Sequence, residues 1–374
     1  MQKKDASVGD ITAVASNSAG IYSLAGGLAI GGKNAVGISI SWNDLNNDTR
    51  TLISGSEISA RNFTDRAMNE SSILTIAIGA GVSSGNGIGG TVAVAISNGN
   101  TAALISGSTI NLTGTMLAEA QSVAGLGAGS YYDDILAEMK ESEKDENGNP
   151  PKSGYLNGDF DLGADAKYDE DGNKIDEKIT KGEYDALAAK ETLTETEKEQ
   201  KKKYEQSQAN LGLAAQSPKI VTAALAVAGG KGTAAGANVA VNLLTDTTVT
   251  AVENSSITSV GNSTYGATTE GGIFALGIGV AGSTGGFTLS GNLGVNIIGG
   301  STAVEFKDNT ELKSNAAFIA QARNASGIIG IGVNVAGGSG TAIGVSAGYN
   351  QIAHATKVDI FIPQAANKRT FLRS

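Results

Sequence analysis

The sequence predicts an all-β solenoid, a stack of strands and corners, carrying one α-helical insertion. Three observations predict it: a fixed period, an alternation of apolar residues inside each period, and a change of texture between residues 131 and 216. A Gly/Ala/Val/Ile stretch closes on an asparagine at Asn43, Asn98, Asn242, Asn296 and Asn350, in steps of 55, 144, 54 and 54 residues. The long step is one period of ~54 residues with about 90 residues inserted. A fixed period marks a repeat architecture, in which each unit buries its apolar face against its neighbours. The chain divides accordingly into solenoid repeats over residues 1–130, an acidic and mainly helical insertion over 131–216, and repeats over 217–374 that continue the same stack.

The fifth copy shows the strand pattern most clearly. In Ile329-Gly330-Ile331-Gly332-Val333-Asn334-Val335 the branched residues take every second position, which places them on one face of an extended chain. Ile329, Ile331, Val333 and Val335 are therefore expected to point into the interior. A Gly-rich break at 337–340 follows, and 341–350 resumes the strand with Ile343, Val345 and Ala347 in step. The same phrase runs through 76–98 and 276–296. Glycine in a strand costs entropy and packs nothing, so its repetition on the opposite face predicts a second backbone layer close by.

After each of the first four asparagines a second phrase follows, at 52–58, 104–110, 251–257 and 306–312. Each has a polar corner, Gly55-Ser56, Gly107-Ser108, Asn254-Ser255 or Asp308-Asn309, made of residues that tolerate left-handed backbone or bond their own chain. Strand, corner, strand is the beat of a β-helix. At ~20–27 residues per coil a repeat would hold two coils, or three short ones, and a meander of hairpins with Gly-rich tips fits the same pattern.

The insertion is built differently. Residues 131–144 read as an acidic helix that stops before Asn147-Gly148-Asn149-Pro150-Pro151. Thr180 with Glu183, and Thr194 with Glu197, are capping-box spacings that open helices over 181–191 and 195–211. In the polar segment between the acidic helix and the first capping box, about 145–179, Asp171-Gly172 marks a hairpin turn. All of the net charge lies here: residues 131–216 hold 22 acidic and 12 basic side chains, and the other 288 residues hold 15 of each. The insertion also carries six of the nine tyrosines. Neither part has the basic stripe that phosphate neutralisation needs, so no nucleic-acid partner is expected.

Phrases such as 329–342 and 295–304 resemble the repeats of very large secreted bacterial adhesins, the filamentous-haemagglutinin-like proteins and the fusobacterial leukotoxin-type filamentous adhesins among autotransporter and two-partner secretion passengers. The resemblance covers roughly residues 11–130 and 217–360 and is one of texture and period. It implies a right-handed parallel β-helix on the outside of the bacterial cell, an internal piece of a longer passenger. Under this reading the chain meets a membrane only through other parts of the full-length protein.

Catalytic and metal chemistry find little material. Cysteine is absent, and His354 is the only histidine, expected on a strand as a surface or coil-facing residue. The acidic run at 169–176 has the look of a calcium loop, but with Gly172 at the sixth position Lys167 and Lys178 fall where carboxylates are required. Gly85 to Gly90 spell a Gly-x-Gly-x-x-Gly string with no helix after it, and Trp42 beside Asn43 reads as a packed or capping aromatic. Asn62, Asn111 and Asn262 head Asn-x-Ser/Thr triplets that a Ser/Thr-rich chain produces by chance. Thr245, Thr247, Thr248 and Thr250 hint at a threonine ladder in one copy. No catalytic, cofactor or metal residue is therefore assigned. The expected function is a structural and adhesive segment of an extracellular or cell-surface protein, a rigid stalk contacting a host-cell, matrix or surface receptor, with the tyrosine-rich insertion either as the contact site or as a solvated decoration without a partner. The alternatives are a polysaccharide-acting β-helix enzyme, which would need a carboxylate pair beside aromatics, and an outer-membrane β-barrel, which would need aromatic girdles.

Overall fold

A computed structural model describes residues 9–124, 218–361 and 372–373, with Leu187, Lys190, Thr194, Thr196, Glu197, Lys198, Gln200 and Lys201 of the insertion. The body is a parallel β-helix of five coils. The first coil is β1 (Ile11–Gly31), β2 (Asn34–Ser54) and β3 (Glu57–Ala60), and the second is β4 (Phe63–Ser83), β5 (Asn86–Ser106) and β6 (Thr109–Leu112). The third begins as two pieces, β7 (Met116–Ala124) and β8 (Pro218–Gly230), and continues as β9 (Ala234–Glu253) and β10 (Ser256–Ser259). The fourth is β11 (Ser263–Ser283), β12 (Thr288–Lys307) and β13 (Glu311–Ser314), and the fifth β14 (Phe318–Gly338), β15 (Ala342–Ile360) and β16 (Leu372–Arg373). First strands stack on first strands, second on second and third on third, giving two broad sheets and one narrow one, all parallel.

One repeat is thus one coil, not two or three. Its two long strands run about 20 residues each and the third only four, so the cross-section is a wedge: two broad sheets meet at a thin edge and the short strands close the base. Along the stack each coil rises only ~4.8 Å, while a long strand reaches ~70 Å. The strands at each Gly-rich tip belong to different sheets, which excludes the hairpin meander.

The strand register corrects the asparagine row. Asn43 pairs with Ala95, and Ala95 with Asn242, Asn296 and Asn350 in turn. Asn98 instead lies three residues further on, beside Asn46 and Thr245. The corners behave as their composition predicts, because Gly55, Gly107, Asn254 and Asp308 have φ of 57°, 59°, 49° and 56°. The insertion leaves and re-enters mid-strand. β7 pairs with the first part of β4 from Phe63 and β8 with its second part from Ile73, so the two pieces complete one long strand.

The apolar alternation is real, but its direction is the reverse of the expected one. In β2 the buried positions are Ala35, Ser39, Ser41, Asn43, Thr49 and Thr51, while Val36, Ile38, Ile40 and Trp42 are exposed. Ile329, Ile331, Val333 and Val335 likewise face outward, at 43–54% exposure, and Gly330 and Gly332 face the interior side chains Asn296, Asn350, Asn292 and Ser346. The expected close backbone layer is the cause. A Cβ on Gly79 would sit 1.9 Å from the Gly90 carbonyl oxygen, one on Gly37 1.9 Å from that of Ala80, and one on Gly89 2.0 Å from that of Val227. Near the thin edge the broad sheets therefore touch backbone to backbone, and the branched aliphatic side chains lie outside.

Towards the base the sheets separate and the interior becomes an ordinary apolar core. Phe63, Ile105, Ile110, Met116, Ile257 and Tyr265 are all fully buried there. Tyr265 meets Phe306 edge-on at 5.0 Å and Phe318 at 5.5 Å. Identical residues stack in ladders between these zones: Ala15, Ala67, Ala120, Ala267 and Ala322 in one, and Ile21, Ile73, Ile220, Ile273 and Ile328 in another.

The thin edge yields a sharp test. Replacing inward Gly79 by valine forces a side chain into the facing backbone and is expected to destabilise by about 3 kcal/mol or more. Gly26→Val, where nothing lies within 4 Å of the added Cβ, should be within about 0.5 kcal/mol of the parent. Denaturant unfolding of both variants checks the contrast.

Candidate functional site

Titratable groups gather inside the wedge where the insertion breaks the third coil. A register shift between Gly272 and Ile273 opposite β8 places Lys219 inside the wedge with no solvent exposure. Its Nζ donates to Ser122 Oγ at 2.8 Å and to Asp246 Oδ2 at 2.5 Å. Glycines make the room: a Cβ on Gly99 would fall 2.6 Å from Asp246 Oδ1, and one on Gly271 2.7 Å from Lys219 Cγ. Ser122 lies near the end of β7 and Lys219 is the second residue of β8, so this ion pair fastens both halves of the split strand to the opposite sheet.

Hydrogen-bonded rows extend from the seam in both directions. Asn43 Nδ2 donates to Thr75 Oγ1 at 2.7 Å. Thr222 donates to Asn242, Asn242 to Asn296 at 2.7 Å and Asn296 to Asn350 at 2.8 Å. Thr49, Thr101, Thr248, Thr302 and Thr356 form an inward row through all five coils, and Thr302 and Thr248 are joined through Thr269. The threonine hint at 245–250 therefore has one member, Thr248, in a full ladder, and that ladder is internal. His354 faces inward as well, with Nε2 2.8 Å from Thr302 Oγ1 and Nδ1 3.2 Å from the Gly299 carbonyl. Burial holds its pKa below the ordinary histidine value, with the Gly299 carbonyl and the charge of Asp246 opposing.

Two further buried acids lie nearer the base. Glu119 pairs with Arg66 at 3.1 Å on the outer side of the first sheet, both side chains nearly enclosed. Asp65 is fully buried, and burial pushes its pKa up to about 6, the Thr51 hydroxyl opposing. These groups are dry and enclosed, which suits bracing of a fold more than turnover of a substrate. Among the described residues no three His, Asp or Glu side chains come together as metal ligands.

The other residues singled out in the sequence are placed as follows. Ser84 and Gly85 form a tip, and Asn86, Gly87, Gly89 and Gly90 lie on β5 with no helix after them. Trp42 is neither packed nor capping but 67% exposed on the outer face of β2. The acidic run at 169–176, Lys167, Lys178, the pair Thr180 and Glu183, the helix at 131–144 and the insertion tyrosines lie outside the described residues. Thr194 and Glu197 do form a capping box: Thr194 N donates to Glu197 Oε2 at 2.8 Å and Glu197 N to Thr194 Oγ1 at 3.3 Å. Lys190 adds a 2.6 Å ion pair to Glu197. Lys190 and the Thr194 backbone hold the Glu197 carboxyl down to about 2.

The most extensive accessible feature is the outside of the thin half of the wedge. On the first sheet the outward rows that contain Leu24, Leu28 and Ile30 are aliphatic or glycine in all five coils, and the row of Tyr22 adds only aromatics. On the second sheet the rows of Val36, Ile38, Ile40 and Trp42 are equally free of charge. Monomeric soluble proteins seldom expose contiguous apolar patches beyond a few hundred Å². The sequence signals both faces by its alternation, but alternation does not tell inside from outside. Lys219 and Asp246 carried a fainter signal, each a lone charge in an otherwise uncharged strand phrase. Compared with known protein families, curated proteins and solved structures, the chain matches none.

The seam makes a quantitative expectation. Lys219→Met alone leaves Asp246 buried without its cation and should cost about 3–5 kcal/mol, while Lys219→Met with Asp246→Leu should recover most of the loss. Equilibrium unfolding of the single and double variants measures the difference.

Asp65 predicts a pH dependence. Its folded pKa lies above the unfolded value near 3.9, so the folded state is unpenalised below about pH 4 and loses stability as pH rises through 6. Asp65→Asn should therefore stabilise the protein by about 2 kcal/mol at pH 7.5 and by much less at pH 4. Glu197 has the opposite sign: its depressed carboxyl supports the local helix above the ordinary glutamate pKa, and that support fades as pH falls through about 2. An NMR titration should find its midpoint there, and Thr194→Ala should raise it.

Proposed function

We propose that the chain is a surface-contacting structural segment of a large extracellular bacterial protein, and that its contact surface is the pair of broad outer faces near the thin edge. The economy of the coil supports this reading. A coil that spends some 54 residues on a rise of ~4.8 Å gives little reach per residue and a great deal of face. The chain is thus a display scaffold more than a spacer, held rigid by ladders of identical residues and by backbone hydrogen bonds running the length of the stack. Repetition of the same aliphatic rows in successive coils gives many weak, equivalent contacts, the arrangement that yields avidity. The resemblance to secreted adhesin repeats agrees with this role, and host-cell, matrix or abiotic surfaces are the partner class it implies.

Beads coated with the chain test the reading. Attachment to cells and to matrix proteins should be saturable and should persist when residues 131–216 are removed, provided circular dichroism shows that the shortened chain keeps its β-structure. Loss of attachment in a folded deletion variant would move the contact site to the insertion. No attachment by either protein would overturn the adhesive role, and turnover of a polysaccharide would overturn the non-catalytic one.

A further inference from the structure

The thin half of the wedge has the dimensions and polarity of a membrane-spanning element, and we propose that it inserts into a lipid bilayer. The proposal rests on the surface-contact reading and names the surface. From Tyr22 to Ile30, and again from Val36 to Asp44, nine residues cover about 27 Å of strand, close to the ~30 Å hydrocarbon thickness that bilayers present. Within that height neither broad face carries a charged side chain before Asp44. Leu24, Leu28 and Ile30 are 74–79% exposed.

Both ends of the band are marked. At its base-ward limit stand Tyr22 and Phe274 in one row of the first sheet, and Trp42 and Tyr349 in one row of the second. Beyond them the first coil turns polar at once, with Asp44, Asn46 and Asp48 outward, whereas the next three coils keep Ile96, Leu243 and Ile297 in the row of Asp44 and turn polar one row further on in the second and third, at Asn98 and Thr245. Amphipathic rings at that level are what a hydrocarbon–water boundary selects. At the opposite limit the tips are short turns of glycine, serine and threonine with Lys33, Lys231 and the exposed Phe287, suited to the far interface. The aromatic row is an incomplete girdle, visible only once the strands are in register.

The interior meets the demands of lipid as well. Backbone groups of the inner coils are paired along the stack. Between the sheets Thr91 donates to the Leu225 carbonyl and Asn292 to that of Gly277, and the side chains of Ser39 and Asn238, which have no partner among the described residues, are enclosed between the sheets and turned away from the hydrocarbon. The open edges of the first and last coils require pairing with further coils or with copies of the chain. A lipid occupant also explains why both broad faces are apolar: a two-fold dimer would cover one face and leave the other in water, whereas a bilayer covers both.

Trp42, the only tryptophan, reports on the boundary. The whole chain is mixed with vesicles of phosphatidylcholine, and separately of phosphatidylethanolamine with phosphatidylglycerol. It should float with both, its emission should shift to the blue, and lipids brominated near the headgroup should quench it more than lipids brominated deep in the tail. Leu28→Asp and Ile38→Asp, both at exposed positions, should keep the β-signal in circular dichroism and weaken vesicle partition about tenfold or more. Asn46→Asp, beyond the boundary, should leave partition unchanged. The proposal is overturned if the two aspartate variants bind vesicles like the parent, if only anionic vesicles bind and Trp42 does not shift, or if the chain ignores vesicles and self-associates in a way those variants abolish. Attachment of coated beads to matrix proteins without vesicle binding would leave the contact reading standing and remove the lipid.

Discussion

The approach of the two broad sheets at the thin edge governs the rest of the molecule. Where backbones come so close that a methyl group would overlap a carbonyl oxygen, as at Gly27, Gly79, Gly81 and Gly89, the inward positions are glycine, or small and polar residues such as Ala93, Ser39, Thr91 and Asn238 where the gap is wider. Strand alternation then sends every branched aliphatic residue of that region outward. The usual solenoid, apolar within and polar without, is kept only near the base, where four-residue third strands hold the sheets apart and Tyr265, Phe306 and Phe318 fill the space. One geometric constraint thus produces both the ladder-lined interior and the aliphatic exterior.

Between these two zones the protein places its buried polar groups, and their arrangement follows from stacking. A side chain repeated in successive coils sits ~4.8 Å above its equivalent, a spacing at which amides and hydroxyls bond along the ladder. Asn242, Asn296 and Asn350 use it directly. An enclosed ion pair between the broad sheets forms where the repeat is broken. The split in the third coil leaves two chain ends facing the opposite sheet, and Lys219 with Ser122 ties both to Asp246. An enclosed ion pair is a poor source of net stability but a strong discriminator of register, since any slip strands a charge in a dry interior.

The same geometry bears on function. Long strands and a small rise per coil make surface in two directions, and that surface is apolar over a height set by the tips at one end and by the aromatic row at the other. The Lys219–Asp246 pair, the Arg66–Glu119 pair and Asp65 are enclosed, whereas the aliphatic faces are open along the stack. The insertion adds charge, with Thr194 and Glu197 forming the one helix start described in it, and the strands beside it shift register opposite β8, between Gly272 and Ile273.

The sequence by itself determined the all-β class, the period, the corners and the site of the insertion. These depend on local chemistry: Gly55 and Asn254 tolerate left-handed backbone wherever they are placed, and a capping box needs only residues three apart. It also showed that a backbone layer must lie against the glycine face. Only the tertiary structure decided that a repeat is a single coil, that Ala95 and not Asn98 belongs in the asparagine row, that Lys219 meets Asp246, and that Ile329, Ile331, Val333 and Val335 face outward. Alternation fixes which residues share a face, but which face is buried is set by what the opposite sheet allows, and that contact joins residues such as Gly89 and Val227 that are far apart in the chain.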